Sequence, residues 1–154
     1  CPQVAKPHKV DNVSPIAEVE GTPVQHAIIG TCTNGRIEDL EVAARILDGK
    51  KIAHGMTLTI SPASKAVYIE AIHRGYVETF LRAGATIAIP GCSGCSGGAY
   101  VGIPADGEAV ITTANRNFKG RLGNANSFLY LASPATVAAS ALTGCIEDSR
   151  NYVR

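Results

Sequence analysis

Short apolar runs alternate with longer stretches of helical spacing along most of this chain, and that alternation limits its fold more than any other feature. "AIIG" (27–30), "MTLTI" (56–60), "TIAIP" (86–90) and "EAVITT" (108–113) read as strands. Between the first two, Ile37, Leu40, Ala43, Ala44 and Leu47 recur at helical spacing. Further helices are expected over 64–74, 76–83 and 134–142, each stopped by a glycine, at Gly75, Gly84 and Gly144. Strand, helix and strand in repetition predict an α/β domain, a three-layer sandwich with a mostly parallel sheet. Sites in such folds gather at the carboxyl ends of the strands. Residues 1–22, broken by Pro2, Pro7 and Pro15 with Pro23 next, read as an extended arm or interdomain linker, and residues 23–154 as the packed domain. The start at Cys1, in a polar and proline-broken stretch, is expected of a piece of a longer protein.

Three strand ends carry the most unusual stretches: "GTCTNGR" (30–36), "PGCSGCSGG" (90–98) and "ANRNFKGR" (114–121). Two of them hold Cys32, Cys92 and Cys95, so the thiols are expected to converge. Five cysteines is an odd number and they are not spread as a disulfide framework would be, which favours reduced thiols. Fourteen basic against thirteen acidic residues leave a formal charge of +1, too little for a field that would gather nucleic acid or an anionic membrane. Anion recognition must then be local. With no apolar run near the roughly 20 residues of a spanning helix, the chain reads as soluble and cytoplasmic.

A C-x-x-C pair in an α/β protein serves as a redox device, as half of a zinc site or as small residues in a turn. Here only Ser93 and Gly94 intervene, and Gly97 and Gly98 follow, so the backbone can wrap closely around an object. Zinc wants a fourth cysteine or a histidine, but His8, His26, His54 and His73 lie in none of the three segments and read as surface or packing residues. Tyr100 is expected to close the turn after the glycines, and Cys145 to be a packing residue. Three thiolates and no fourth ligand suit a [4Fe–4S] cluster with one iron left without a protein ligand, a Lewis acid fitted to hydro-lyase chemistry. Arg116 and Arg121 bring guanidinium forks that match carboxylates, although "NRNFKGR" by itself is equally a solvated basic loop or a phosphate grip. A thiol-disulfide redox domain using Cys92 and Cys95, and a non-catalytic module stapled by metal, stay open on the residues alone.

"IGTCTNGRIEDL" (29–40), "PGCSGC" (90–95), "NRNFKGR" (115–121) and "LASPATVAASALTG" (131–144) resemble, in order and spacing, the third domain of the aconitase superfamily. Within it the chain is similar to the branch holding the large subunits of 3-isopropylmalate dehydratase and archaeal homoaconitase. The arm "VAKPHKVDNV" also resembles that family's approach to the domain, and the Gly-Gly tail of "PGCSGCSGG" is closer to the archaeal forms. The resemblance implies that Cys32, Cys92 and Cys95 hold the cluster, that Arg116 and Arg121 hold substrate carboxylates, and that Asn115 and Asn34 sit beside them. It implies an enzyme that moves a hydroxyl between adjacent carbons of a di- or tricarboxylic acid. Its partners would be the remaining domains of the large subunit and a small swivelling-domain subunit, which brings a serine as base. The isolated fragment would then be inactive.

Overall fold

The computed structural model of the chain describes residues 1–95 and 101–152. One sheet of seven strands runs through it in the order β2-β1-β7-β6-β3-β4-β5. The strands are β1 (Gln3–Ala5), β2 (Val13–Pro15), β3 (His26–Ile29), β4 (Thr57–Ile60), β5 (Thr86–Ile87), β6 (Ala109–Thr112) and β7 (Phe128–Leu131). The five strands from β7 to β5 are parallel, and β1 and β2 add an antiparallel hairpin beyond β7. The α/β class and mostly parallel sheet expected from the sequence are present.

Among the described residues there are four α-helices: α1 (Ile37–Leu47) joins β3 to β4, α2 (Lys65–His73) and α3 (Tyr76–Ala83) join β4 to β5, and α4 (Pro134–Thr143) follows β7. Their ends follow the expected chemistry. The Ser64 and Ser133 hydroxyls accept from the Val67 and Thr136 N–H groups to open α2 and α4, and Gly84 and Gly144 close α3 and α4 with left-handed backbone. The main core lies on the helical face, where Ala27, Ile29, Leu58, Ile60 and Ile111 meet Leu40, Leu47, Phe80 and Val137. Alternate residues Ile28, Val110 and Leu129 point to the other face, where Leu122 and Val101 of non-helical chain cover them. Period-two alternation thus feeds two cores from the same strands.

The differences from expectation are local. Sequence reading assigned no strand to 128–131, a run too short to show periodicity, and none to 1–22. There the structure pairs Val4 with Ser14 and buries Val4 and Ile16. The strand expected over 86–90 stops at Ile87, because Pro90 removes a donor and Ile89 turns out into solvent. Among the described residues no helix is long and apolar enough to cross a membrane.

His26, at the amino end of β3, bridges Thr57 Oγ1 at 2.7 Å and Glu108 Oε2 at 2.9 Å, far from the thiols, as expected of a satisfied packing residue. The His26 hydrogen bond, with a second from the Ala105 N–H, holds the Glu108 carboxyl below the ordinary carboxylate range. Glu108 therefore contributes stability that is present above its unfolded-state pKa of about 4.3 and is lost as pH falls through the lower folded value. Replacement by glutamine is expected to flatten the acid side of the Tm-against-pH curve, and an unaltered acid slope would refute this assignment. Phe80, fully buried under α3, is expected on Phe80→Ala to cost about 3–5 kcal/mol in denaturant unfolding.

Candidate functional site

The chain runs outward from β3 through β4 to β5, then returns to place β6 on the opposite side of β3. The carboxyl ends of β3 and β6 thus flank the switch point of the sheet, where α/β folds leave a crevice. Residues 30–35, 93–95 and 113–115 meet beside it, the first two segments through close backbone contact.

Ser61, fully buried just past β4, stands at the centre of that contact. A Cβ on Gly30, whose φ is +99°, would lie 2.0 Å from the Ser61 carbonyl oxygen, and one on Gly35 would lie 2.3 Å from the same atom. A Cβ on Gly94 would lie 2.3 Å from the Gly30 oxygen. No side chain fits at any of the three positions. The turn Ser93–Cys95 can therefore cross the end of β4 and rest on the end of β3. A chain of hydroxyls locks it there: Ser61 Oγ and Ser93 Oγ are 2.7 Å apart, the Gly94 N–H donates to Ser61 Oγ at 3.3 Å, and Ser93 donates to the Ile89 carbonyl.

The other wall is tied by amides and threonines. Thr31 Oγ1 accepts from the N–H groups of Thr33 and Asn34, folding residues 31–34 into a tight turn. The Gly30 N–H donates to Thr113 Oγ1 at 2.8 Å, and Asn34 Nδ2 donates to the Thr113 carbonyl at 2.6 Å and to Asn115 Oδ1. Asn115 Nδ2 completes the loop by donating to Thr33 Oγ1 at 2.8 Å. Asn34 and Asn115, named separately from sequence, are direct partners.

Cys32 and Cys92 are exposed and Cys95 half-buried, and none is in a disulfide. A hydrogen bond with the Cys32 side chain, and then its charge, raise the Cys92 thiol above its ordinary pKa, with Cys95 adding a smaller push. Cys92 thus stands beside Cys32 with Cys95 close by, and the raised pKa of its thiol is the opposite of what a redox nucleophile needs. Among the described residues no three His, Cys, Asp or Glu side chains close around one point as the ligands of a single metal ion must. Arg116 is exposed and Arg121 half-buried, its guanidinium carbon 5.7 Å from the centre of the Phe118 ring. Among the described residues neither has a carboxylate partner, so both guanidinium groups are available to a ligand. Gly97, Gly98 and Tyr100 lie outside the described residues. Cys145 sits in a backbone bridge with Pro23, consistent with a packing role.

Sequence reading missed Ser61, Thr31 and Thr113. Its one available signal was position: each hydroxyl lies one or two residues past a strand end, where a buried polar side chain needs a partner. Gly94→Ala keeps an ordinary φ and adds only the clash with Gly30. A short bifunctional thiol reagent that bridges Cys32 and Cys92 is expected to lose most of its yield in Gly94→Ala, with the far-ultraviolet dichroism unchanged. Undiminished bridging would show that the contact does not set the thiol spacing.

Residues 3–144 match the aconitase family (aconitate hydratase). The chain is 55% identical over 152 residues to a 3-isopropylmalate dehydratase large subunit of Archaeoglobus fulgidus, covering 99% of this chain and 36% of that protein. It is 58% identical over 149 residues to a probable methanogen homoaconitase large subunit of Methanosarcina mazei, covering 97% and 37%. A 3-isopropylmalate dehydratase large subunit of Thermotoga maritima is 47% identical over 154 residues, covering 99% and 37%. The chain spans about a third of the length of the curated relatives it matches. A match over nearly its whole length, on a sheet whose switch point gathers the matching motifs, shows that the chain belongs to the aconitase family.

Proposed function

We propose that this chain is the cluster-bearing domain of a hydro-lyase of the 3-isopropylmalate dehydratase or homoaconitase type, which isomerises a hydroxy di- or tricarboxylic acid by dehydration and rehydration. The observation that supports this reading is that, in a domain of the aconitase family, cysteines outside any disulfide stand on turns after β3 and β5, and the loop with both arginines is tied to the Cys32 turn through Asn115.

The residues present fit a [4Fe–4S] cluster. Cys32, Cys92 and Cys95 supply a soft, all-sulfur donor set, which suits an iron–sulfur cluster better than a hard cation. The amino end of α1, five residues beyond Cys32, adds a dipole that favours the thiolate forms these ligands need. When bound, with one iron free of protein ligands, the cluster supplies a Lewis acid that weakens the bond to a leaving hydroxyl. The remaining roles belong to this chain's side chains. Arg116 and Arg121 grip substrate carboxylates in bidentate fashion and fix which carbon faces the thiols. Asn34 and Asn115, locked to one another, hold amide groups at the rim of the crevice as pre-oriented donors and acceptors. A base for the carbon-bound proton must come from elsewhere, from the remaining domains of a large subunit or from a small subunit that closes over the crevice. The active unit is then the assembly, and its specificity is shared with segments outside this chain.

Anaerobic reconstitution of the full protein with iron and sulfide is expected to give a silent paramagnetic resonance spectrum that becomes a three-iron signal on mild oxidation. Cys32→Ser is expected to cut iron incorporation several-fold, and undiminished loading would overturn its place as a ligand. In the complete assembly Arg121→Lys is expected to raise KM by about 10–100-fold, since lysine keeps the charge and loses the fork. An unchanged KM would refute the carboxylate grip.

A further inference from the structure

The loop that carries Arg116 and Arg121 is anchored by a residue that the functional reading leaves unused. Asn117 lies between two exposed neighbours, Arg116 and Phe118, yet is itself fully buried. Its Nδ2 points into a socket of three backbone carbonyls: Lys6 at 2.8 Å, Lys9 at 3.4 Å and Leu129 at 3.3 Å. Two of these belong to the turn of the β1–β2 hairpin and the third to β7. Resting on that reading of the arginines, we infer that Asn117 is a positioning residue, which fixes the substrate-gripping loop to the arm and so makes the arm part of the carboxylate site.

Three features support the inference. First, β1 meets β7 at a single register position, Ala5 opposite Leu131, and beyond it the hairpin turn reaches β7 through the His8 ring, 5.7 Å from that of Phe128, and through the Asn117 amide. Within the turn, the Lys6 N–H donates to the Asn12 carbonyl at 2.8 Å and Asn12 Nδ2 to the Pro7 carbonyl at 3.1 Å. Second, Asn117 Oδ1 is buried with no hydrogen-bond partner among the described residues. An unpaired buried acceptor is a cost, so the amide is set by where its donors must reach and not by stability alone. Third, the flanking side chains are placed by the same anchor. Arg116 and Phe118 line a cleft of about 370 Å³ with His8, Lys9 and Asp11 of the arm. Phe118 in turn lies under the Arg121 guanidinium. Alternation along the loop sends Asn115 to the β3 turn and Asn117 to the arm, leaving Arg116 between two fixed points.

Asn117→Leu keeps the branched outline and removes the donor, and Asn12→Ala loosens the arm turn without touching the loop. Each is tested in the complete assembly, with 3-isopropylmalate or homoaconitate, whichever turns over, as substrate. Hydrogen exchange is measured on the substrate-free protein. Asn117→Leu is expected to raise exchange over 6–12 and 116–121 together and to raise KM by about tenfold, with kcat and iron content within about twofold of wild type. Asn12→Ala is expected to move the same quantities by less, and it carries the test if Asn117→Leu does not fold. Faster exchange in the arm alone, with KM unchanged, would overturn the proposal and leave Asn117 as an anchor of the arm only. An Arg116→Lys variant separates the two readings. If it leaves KM unchanged the carboxylate grip itself fails, whereas a raised KM there beside an unchanged one in Asn117→Leu removes only the role of Asn117.

Discussion

The contact between backbone and backbone around Ser61 is the constraint on which the rest of the site depends. Cys92 and Cys95 follow β5, at the edge of the sheet, and Cys32 follows β3, two strands away with β4 between. Parallel strands are about 4.8 Å apart, so without a crossing the thiols would stand roughly 10 Å from one another. Glycine at positions 30, 35 and 94 removes the side chains that would hold the segments apart, and the Ser61 and Ser93 hydroxyls replace the water that such a close approach expels. The energetic currency is ordinary: a few neutral hydrogen bonds, each worth about 1 kcal/mol net, made decisive by the absence of any alternative partner.

Much of this was legible in the sequence because the periodic signals are local. The α1 stripe from Ile37 to Leu47, the serine before α2 and the glycines after α3 and α4 act within a turn or two, and the structure follows them closely. The site was legible for a different reason: three chemically odd segments each stood at the end of a strand, and a parallel sheet puts all such ends on one side. What escaped were relations between distant residues. β7 and the β1–β2 hairpin are defined by pairing, not by their own short sequences, and Asn117 reads from sequence as one more polar residue of a basic loop. Its burial follows only from where residues 6–9 come to lie, more than 100 positions earlier.

Electrostatics are handled locally throughout. The helices pair their own charges four residues apart, Glu41 with Arg45, Glu70 with Arg74 and Glu78 with Arg82, on exposed surfaces where such pairs add little stability. They neutralise the periphery, while among the described residues Arg116 and Arg121, on the loop after β6, have no carboxylate partner. With a formal net charge of +1, the chain has no field that would gather polyanions indiscriminately.

The short outer strands have a consequence of another kind. An exposed sheet edge offers a row of unused N–H and C=O groups on which a strand of another molecule can grow. Here β2, the outermost strand on one side, has three residues and ends at Pro15, and β5, on the other, has two and is followed within three residues by Pro90. Neither margin presents a ladder long enough to template a further strand. A domain with exposed thiols and a largely parallel, slow-pairing sheet is thereby protected against edge-to-edge aggregation during synthesis.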